Sequence, residues 1–211
     1  MKNSLSTYKD YGYTSDKSSC AHKYLAGSIL SMLKKGKNKT ILDLGCGNGW
    51  MAGFLISKDF DVYGTDASIS GIEIARKNFP DRFFVQDLSK DDLPHELNNL
   101  KFDTIVSTEV IEHLYDPRKY VTFCKTILQQ NGGGELIIST PYHGYLKNIV
   151  MALTGTLDSH FTALWVGGHI KFLSRKTLTK LLQEQGFEIT DFIGSGRFPF
   201  LWKSMIIKAK I

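Results

Sequence analysis

The sequence is poor in cysteine and has no long apolar run. Its 211 residues include only three cysteines, Cys20, Cys46 and Cys124, and none belongs to a C-x-x-C pair. This odd and scattered set argues against a disulfide framework and against a cysteine zinc site. Residues 1–6 lack the apolar segment of a secretory leader, and no run reaches the roughly 18 apolar residues of a membrane-spanning helix. We therefore expect a cytoplasmic protein in a reducing compartment.

Two common phosphate-binding signatures are also missing. The sequence contains no G-x-x-x-x-G-K-[ST] motif, which excludes a P-loop. Glycines do follow an apolar run in residues 40–50. However, a dinucleotide-binding G-x-G-x-x-G that began at Gly45 would need its third glycine at Trp50. This stretch therefore binds a ligand of another kind, or it is a glycine-rich turn that binds no ligand at all.

Residues 40–50 instead carry the pattern D-x-G-x-G-x-G. The apolar run before the glycines and the helical pattern after them predict a buried parallel strand, a tight turn and a helix. Glycine at alternate positions permits positive φ angles and lets a ligand approach the backbone closely. The acid at Asp43 would repel a pyrophosphate, whereas it would suit a ligand that carries an amino group and a sulfonium.

This pattern resembles the cofactor motif of the class I methyltransferases that depend on S-adenosylmethionine (SAM). The resemblance covers roughly residues 35 to 211. It implies that SAM binds at the turn and leaves as S-adenosylhomocysteine (SAH). The residues of the turn that it implies in cofactor binding are Asp43, Gly45, Cys46, Gly47, Asn48 and Gly49.

Residues 61–66 form a second predicted strand, which ends in an acid. Asp66 follows Asp43 by 23 residues, near the spacing expected for a carboxylate that binds the two ribose hydroxyls. A carboxylate accepts two hydrogen bonds side by side, as a cis-diol requires. Ala67 and Ser68 complete this part of the predicted cofactor site, and Ser68 is also placed to cap the next helix. Alternatively, Asp66 itself caps that helix.

A third predicted strand, residues 82–88, also ends in an acid. In the resembling family this position contacts the adenine amino group, and the neighbouring apolar residue lies against the ring. The resemblance therefore assigns these roles to Asp87 and Leu88, although Asp87 would otherwise be an exposed loop acid. The fourth strand, residues 102–107, runs into Thr108, the last residue predicted to contact the cofactor.

Five predicted strands alternate with helices, which indicates an α/β fold with a doubly wound sheet. Two later strands, residues 186–193 and 204–210, complete a seven-stranded Rossmann-like sheet. The resemblance implies the strand order 3-2-1-4-5-7-6, with strand 7 antiparallel and helices on both faces. We expect one domain over residues 1–211, in which a helix over residues 21–35 stops at Gly36.

Two segments flank this predicted core. The N-terminal arm, residues 1–20, is polar and rich in tyrosine (Tyr8, Tyr11, Tyr13), and it is either mobile or ordered over a bound cofactor. Residues 142–168 are rich in aromatic and apolar side chains, and they fall where ligands bind in open α/β sheets. We interpret them as a substrate lid; a core helix, a dimer face and a patch that rests on a membrane are the alternatives. The apolar residues of the lid at helical spacing are Leu146, Ile149, Val150 and Leu153.

A second cluster of reactive side chains, Glu109-x-x-Glu112-His113, follows the fourth strand. On a helix these three residues would share one face. Together with His169 they would suit a divalent ion, Mg²⁺ or Mn²⁺, with open coordination positions. The arrangement resembles the ubiquinone-biosynthesis O-methyltransferases and the small-RNA 3′-terminal 2′-O-methyltransferases, where such an ion would lower the pKa of neighbouring hydroxyls. Alternatively, Glu109 only borders the cofactor site, His113 packs or caps, and His169 anchors the helix over residues 174–185.

The sequence therefore predicts a SAM-dependent methyltransferase that methylates the hydroxyl oxygen of a small molecule. The acceptor oxygen would attack the sulfonium methyl group in line, and the protein would mainly supply alignment. The predicted catalytic residues are His169, His143 and Glu109. An imidazole near the site can accept the hydroxyl proton at neutral pH.

Two other functions stay open. One is an RNA 3′-terminal 2′-O-methyltransferase, but the chain has no separate RNA-binding module and its lid is apolar, so we do not expect a nucleic-acid partner. The other is a protein that binds SAM without turnover. The net charge of +5 fits a solvated basic surface as well as attraction to RNA or a membrane face. The sequence identifies neither the acceptor nor the oligomeric state. Part of the charge comes from Lys34, Lys35, Lys37 and Lys39.

Overall fold

The computed structural model describes residues 10–33, 40–88, 90, 92–161, 164–165 and 167–211. Several features predicted from the sequence lie outside these residues. They are the first nine residues of the arm with Tyr8, the helix stop at Gly36, residues 162, 163 and 166 of the lid, and the lysine cluster Lys34, Lys35, Lys37 and Lys39.

Seven strands form one mixed sheet. They are β1 (Thr40–Leu44), β2 (Asp61–Asp66), β3 (Phe83–Val85), β4 (Thr104–Thr108), β5 (Glu135–Pro141), β6 (Glu188–Ser195) and β7 (Ser204–Lys210). Their order is β3-β2-β1-β4-β5-β7-β6, which confirms the predicted order. The first five strands are parallel, and β7 runs antiparallel to both β5 and β6. The carboxyl ends of β1 to β5 therefore meet at one edge of the sheet.

Helices connect the strands in the described part of the chain. They are α1 (His22–Met32), α2 (Trp50–Ile56), α3 (Ile69–Asn78), α4 (Pro117–Gln129), α5 (Tyr145–Leu153), α6 (Leu157–Phe161) and α7 (Arg175–Glu184). Two three-residue 3₁₀ turns lie at His95–Leu97 and Ile111–His113. None of the helices in this part of the chain combines the length and apolar character that crossing a membrane requires.

Local sequence explains where several helices begin. The Ser68 hydroxyl accepts a hydrogen bond from the Gly71 amide and caps α3, as predicted. Asp116 accepts from the first amides of α4, whose first residue is a proline. Ser174 and Thr177 form a reciprocal capping box at the start of α7. These caps fix the direction in which each helix leaves the edge of the sheet.

Separate apolar clusters cover the two faces of the sheet. Ile41 of β1 belongs to the cluster that includes Leu25 of α1 and Leu55 of α2. Its neighbour Leu42 belongs to the cluster on the other face, which includes Ile127 of α4. Because both faces of β1 are covered, its apolar residues need not alternate with polar ones. The core thus holds β1 rigidly in the centre of the sheet, directly before the glycine turn.

The structure has no helix that carries Glu109, Glu112 and His113 on one face, so that interpretation of the sequence is wrong. Glu109 instead has a φ of 56° and its amide donates to Ser139 of β5, so the chain turns sharply at the end of β4. Only the 3₁₀ turn Ile111–His113 follows. Glu109 and His113 therefore do not share one helical face.

Strand β6 also begins two residues later than predicted, because Gly186 takes a left-handed φ of 88° after α7.

Candidate functional site

A cleft of about 1210 Å³ opens at the edge where the parallel strands end. Ligands of open α/β sheets bind at this edge, and a volume of this size exceeds that of most single-ligand pockets. Nine of the twelve residues predicted to bind the cofactor line it. They are Gly45, Cys46, Gly47, Asn48, Asp66, Ala67, Asp87, Leu88 and Thr108.

The glycine turn after β1 forms the floor of this cleft. Gly45 and Gly47 both have positive φ angles, 88° and 55°. A Cβ atom on Gly47 would lie 2.5 Å from the Tyr13 hydroxyl oxygen, and one on Gly45 would collide with the side chain of Val110. No other residue type fits these positions without displacing its neighbours, so the backbone itself is exposed to a ligand.

Asp66, at the end of β2, joins the turn to the start of α3. One carboxylate oxygen accepts a hydrogen bond from the Gly47 amide (2.8 Å) and the other from the Ser68 amide (2.7 Å). Burial raises the pKa of Asp66, and these amides act against that rise. The carboxylate therefore holds the turn in place and still faces the cleft.

Asp43 lies behind the turn and does not contribute to the cleft wall. Its side chain is completely buried, and in the described chain neither carboxylate oxygen has a partner at ordinary hydrogen-bond geometry. Burial and then the charge of Asp66 raise its pKa to about 7. Gly49 and Ser68, also predicted to bind the cofactor, likewise lie outside the cleft wall, where they begin α2 and α3.

The N-terminal segment, residues 10–22, also lines the cleft and contacts the glycine turn through Tyr13. The Asp10 carboxylate accepts hydrogen bonds from the hydroxyls of Ser68 (2.6 Å) and Ser70 (2.7 Å) and from the Ser70 amide (3.0 Å). The Ser68 hydroxyl contributes most to lowering the pKa of Asp10. At the other end of the segment, the Asn48 amide group donates to the carbonyls of Ser15 and Lys17. Sequence reasoning missed Asp10, because no local pattern links it to serines 58 and 60 residues away.

Three of the four predicted metal ligands come together after β4, and two of them, His113 and His169, line the cleft. Glu112, His113 and His169 each offer a ligand atom, and these atoms all lie within 4.8 Å of one another. The His113 and His169 rings meet edge to face at 4.9 Å between centroids. We call these three residues the Glu-His-His cluster.

Hydrogen bonds orient the ligand atoms of the Glu-His-His cluster. His113 Nδ1 lies 2.8 Å from the carbonyl oxygen of Gly167, which can only accept, so Nδ1 carries the proton and Nε2 keeps its lone pair. Glu112 Oε2 accepts from the Thr140 hydroxyl. Glu112 Oε1 is buried and has no hydrogen-bond partner among the described residues, and His113 Nε2 lies 3.9 Å from it. Burial and then the charge of Glu109 raise the pKa of Glu112.

Glu109 lines the cleft but does not join this cluster. Its carboxylate oxygens accept hydrogen bonds from the hydroxyls of Ser139 (2.8 Å) on β5 and Ser204 (3.0 Å) on β7. Both oxygens are therefore turned toward the sheet, because the backbone reverses at this residue. The four-ligand set expected from the sequence thus reduces to three ligands in the structure.

His143, predicted as a catalytic base, lies away from the residues that line the cleft. Only 7% of it is exposed, and its ring faces His160 (5.3 Å between centroids), Phe161 and Phe172. Burial lowers its pKa to about 4. By contrast, His169 does line the cleft, and burial followed by the charge of His113 lowers its pKa to about 4.

The predicted lid contributes the outer wall of the cleft. Leu164 and Trp165 line it, and the Trp165 ring lies edge to face against Tyr11 of the N-terminal segment at 5.4 Å. The predicted apolar stripe of α5 points outward: Leu153 is 83% exposed, whereas the buried side of the helix holds Lys147. This arrangement contradicts the alternative of an ordinary core helix.

Comparison with known proteins agrees with this geometry. The family model described as "Methyltransferase domain" matches residues 19–191. The ubiquinone biosynthesis O-methyltransferase of Dinoroseobacter shibae is 32% identical over 169 residues, which cover 74% of this chain and 62% of that protein. The chain spans about three-fifths of the length of the curated relatives it matches.

Solved structures share the fold. Magnesium protoporphyrin IX methyltransferase from Synechocystis PCC 6803, with bound SAH, has a TM-score of 0.66 at 18% identity and covers 88% of this chain and 81% of its own. An S-adenosylmethionine-dependent methyltransferase from Mesorhizobium loti has a TM-score of 0.65 at 20% identity, with coverages of 88% and 96%. The match of the family model over residues 19–191 shows that the chain belongs to the methyltransferase domain family.

Proposed function

We propose that this protein transfers a methyl group from SAM to a hydroxyl oxygen of a small molecule. The observation that carries the proposal is that one cleft joins the glycine turn and Asp66 to His169. Its volume leaves room for an acceptor beside the cofactor. Relatives that are named O-methyltransferases support oxygen as the acceptor atom.

In the proposed complex the cofactor lies across the ends of β1, β2 and β3. Asp66 binds the ribose hydroxyls, because a carboxylate keeps further lone pairs after accepting two amide hydrogen bonds. Asp87 and Leu88 contact the adenine. The methionine part lies on the glycine turn, in front of the buried Asp43. Burial raises the pKa of Asp43 to about 7, and a sulfonium bound nearby would favour its ionised form.

The transfer is an in-line displacement at the methyl carbon. A lone pair of the acceptor oxygen forms the new C–O bond while the C–S bond breaks, and its electrons stay on sulfur as SAH leaves. The hydroxyl proton passes to His169, whose ring lines the cleft, as the new bond forms. The protein supplies alignment and a proton acceptor, since the cofactor is already activated.

The Glu-His-His cluster fits a divalent cation. The buried Glu112 oxygen without a partner and the Nε2 lone pair of His113 are two ligand positions that the protein itself leaves unsatisfied. Glu112, His113 and His169 would hold the ion. When bound there, Mg²⁺ or Mn²⁺ would lower the pKa of an acceptor hydroxyl that it coordinates.

Methyl transfer from labelled SAM to a catechol and to its dimethyl ether tests the proposal. Label should enter the catechol only, and the product should be the methyl ether. His169→Ala should lower kcat about 100-fold, since general base catalysis contributes roughly that factor, and should leave SAM affinity unchanged. His95→Ala is the matched control, because His95 is exposed and lies far from His169 in the sequence. Label on nitrogen or on RNA, or SAM binding without any transfer, would overturn the proposal.

A further inference from the structure

The loop between β6 and β7, residues 196–203, exposes apolar side chains to solvent. We call this loop the hairpin tip; its sequence is Gly-Arg-Phe-Pro-Phe-Leu-Trp-Lys. Phe198 is 79% exposed and Phe200 is 60% exposed. A single exposed apolar side chain is ordinary on a protein surface, but two phenylalanines on one short loop form a patch that calls for an occupant.

The conformation of the hairpin tip keeps these rings outside. Trp202 anchors the tip on the rest of the fold, since its ring packs edge to face against Tyr142 (5.1 Å between centroids) and Phe192 (5.8 Å). By contrast, Phe200 has a φ of 65°, a left-handed conformation that is uncommon for a bulky side chain. Backbone strain of this kind occurs most often where the exposed residue has a function.

The hairpin tip lies at the same edge of the sheet as the cleft. Ser204, the first residue of β7, pairs with Pro141, the last residue of β5, and its hydroxyl donates to Glu109, which lines the cleft. None of residues 196–203 lines the cleft itself. The exposed rings of the tip therefore bind something other than the cofactor and the methyl acceptor.

Helix α5 lies beside the hairpin tip. The amide of Tyr142 and the ammonium group of Lys147 both donate to the Lys203 carbonyl oxygen, at 3.0 and 3.3 Å. Because Lys147 is on the buried side of α5, this contact holds that side against the fold, and the apolar stripe faces solvent. Leu146 and Leu153 of the stripe are 47% and 83% exposed. Two neighbouring elements thus expose apolar side chains.

The charges that accompany the hairpin tip are positive. Arg197 and Lys203 flank its apolar residues, and residues 192–211 contain no aspartate or glutamate. Both basic side chains are exposed and neither forms an ion pair within the described chain, although Lys203 Nζ lies over the Tyr24 ring, 5.4 Å from its centroid. Exposed rings between basic groups complement an anionic membrane, where rings enter the headgroup region and cations bind the phosphates.

We propose that the hairpin tip, with the outer face of α5 beside it, binds the surface of an anionic phospholipid bilayer. Phe198 and Phe200 enter the boundary between headgroups and acyl chains, and Arg197 and Lys203 bind lipid phosphates. The edge of the sheet that carries the cleft then lies near the bilayer. This inference goes beyond the proposed function and does not depend on the identity of the methyl acceptor.

Cosedimentation of the purified protein with lipid vesicles tests the inference. The protein should bind vesicles of phosphatidylglycerol and phosphatidylcholine in equal parts. Its affinity for vesicles of phosphatidylcholine alone should be about tenfold lower, because the basic groups then lose their anionic partners. Raising the salt concentration should weaken binding to the anionic vesicles, since salt screens exposed charges.

Variants of the hairpin tip separate the apolar from the electrostatic contribution. Phe198→Ser combined with Phe200→Ser should lower the affinity for anionic vesicles about tenfold or more, and Arg197→Gln should lower it about fivefold. Val85→Ser removes an exposed apolar side chain from β3, at the opposite edge of the sheet, and Lys77→Gln removes a charge from α3. Both control variants should bind vesicles as the wild type does.

Three results would overturn the membrane proposal. They are equal affinity for both kinds of vesicle, anionic vesicle binding that survives the double phenylalanine variant, and a dimer without lipid that dissociates in this variant. Sedimentation velocity detects such a dimer, which would show that a second copy of the chain covers the tip. Thermal unfolding checks that the double variant folds; if it does not, Arg197→Gln and the salt dependence decide the outcome.

Discussion

The two ends of the cleft are built in different ways. At the cofactor end, each functional group directly follows a strand: the glycine turn follows β1, Asp66 ends β2, and Asp87 follows β3. At the acceptor end, the partners are distant in sequence. Glu112 is bound by Thr140, and His113 by the carbonyl of Gly167.

This difference separates the part of the cleft that local sequence builds from the part that contacts between distant segments build. Backbone geometry and carboxylates at strand ends form the cofactor end, and they follow from the fold itself. Long-range contacts and aromatic rings, among them Trp165 against Tyr11, form the other end, where we place the acceptor. Changes in the lid can therefore alter the acceptor while the cofactor end stays the same.

The largest effect should come from the cofactor end. Asp66→Ala should weaken SAM binding about 100-fold or more. The variant removes the carboxylate that would accept hydrogen bonds from the ribose hydroxyls and that accepts one from the Gly47 amide. Calorimetry measures the affinity, and thermal unfolding checks that the variant folds. Asp81→Ala, at an exposed position before β3, should bind SAM normally. Unchanged affinity of the Asp66 variant would remove this acid from the cofactor site.

The next effect concerns the metal hypothesis at the acceptor end. Glu112→Gln should weaken Mn²⁺ binding by about 10- to 100-fold, since a neutral amide replaces a buried carboxylate ligand. Titration calorimetry with Mn²⁺ reports this change independently of activity. EDTA should abolish methyl transfer, and Mg²⁺ or Mn²⁺ should restore it.

Glu73→Gln, on the exposed face of α3, is the control for Glu112→Gln and should bind Mn²⁺ as the wild type does. Turnover that persists in the presence of EDTA would contradict the metal hypothesis. In that case Glu112 and His113 would have a structural role, and His169 would keep only its proposed role as proton acceptor.

A smaller effect on SAM binding should come from the N-terminal segment, which reaches from one end of the cleft to the other. Asp10→Asn should weaken SAM binding about tenfold, because an amide accepts the hydrogen bonds of Ser68 and Ser70 less well than a carboxylate. Amide hydrogen exchange over residues 10–17 should become faster in the same variant. Asp16→Asn lies in the same segment at an exposed position and is the matched control. Slow exchange in Asp10→Asn would show that this carboxylate does not hold the segment.

The smallest effect is a pH dependence of stability at the acceptor end. The pKa of His143 falls from 6.5 to about 4 on burial, so between these values the unfolded chain binds a proton that the folded protein does not. Stability should therefore fall as the pH is lowered from 6.5 to 4. His143→Phe should make this fall less steep in urea unfolding, and His95→Phe should not. If the free energy of unfolding depends on pH equally in the wild type and in both variants, the lowered pKa of His143 is contradicted.

Sequence reasoning succeeded where local pattern determines structure. The cap at Ser68 and the positions of nine residues that line the cleft were predicted from short motifs next to strands, and the strand order from the family that these motifs resemble. It failed at Glu109, where the expected helix is a sharp turn held by Ser139, 30 residues away. It also missed Asp10, since no motif connects this carboxylate to Ser68 and Ser70, which donate hydrogen bonds to it.

The sequence by itself determined the fold and the cofactor end, because hydrophobic period, glycine spacing and strand-end acids act over a few residues. Only the tertiary structure decided which way each side chain of the acceptor end points. It turned both Glu109 oxygens to β5 and β7, drew His143 away from the cleft wall and buried Lys147 on the inner side of α5. These outcomes depend on the packing of segments far apart in the chain, where burial and hydrogen bonding between distant residues outweigh local preference.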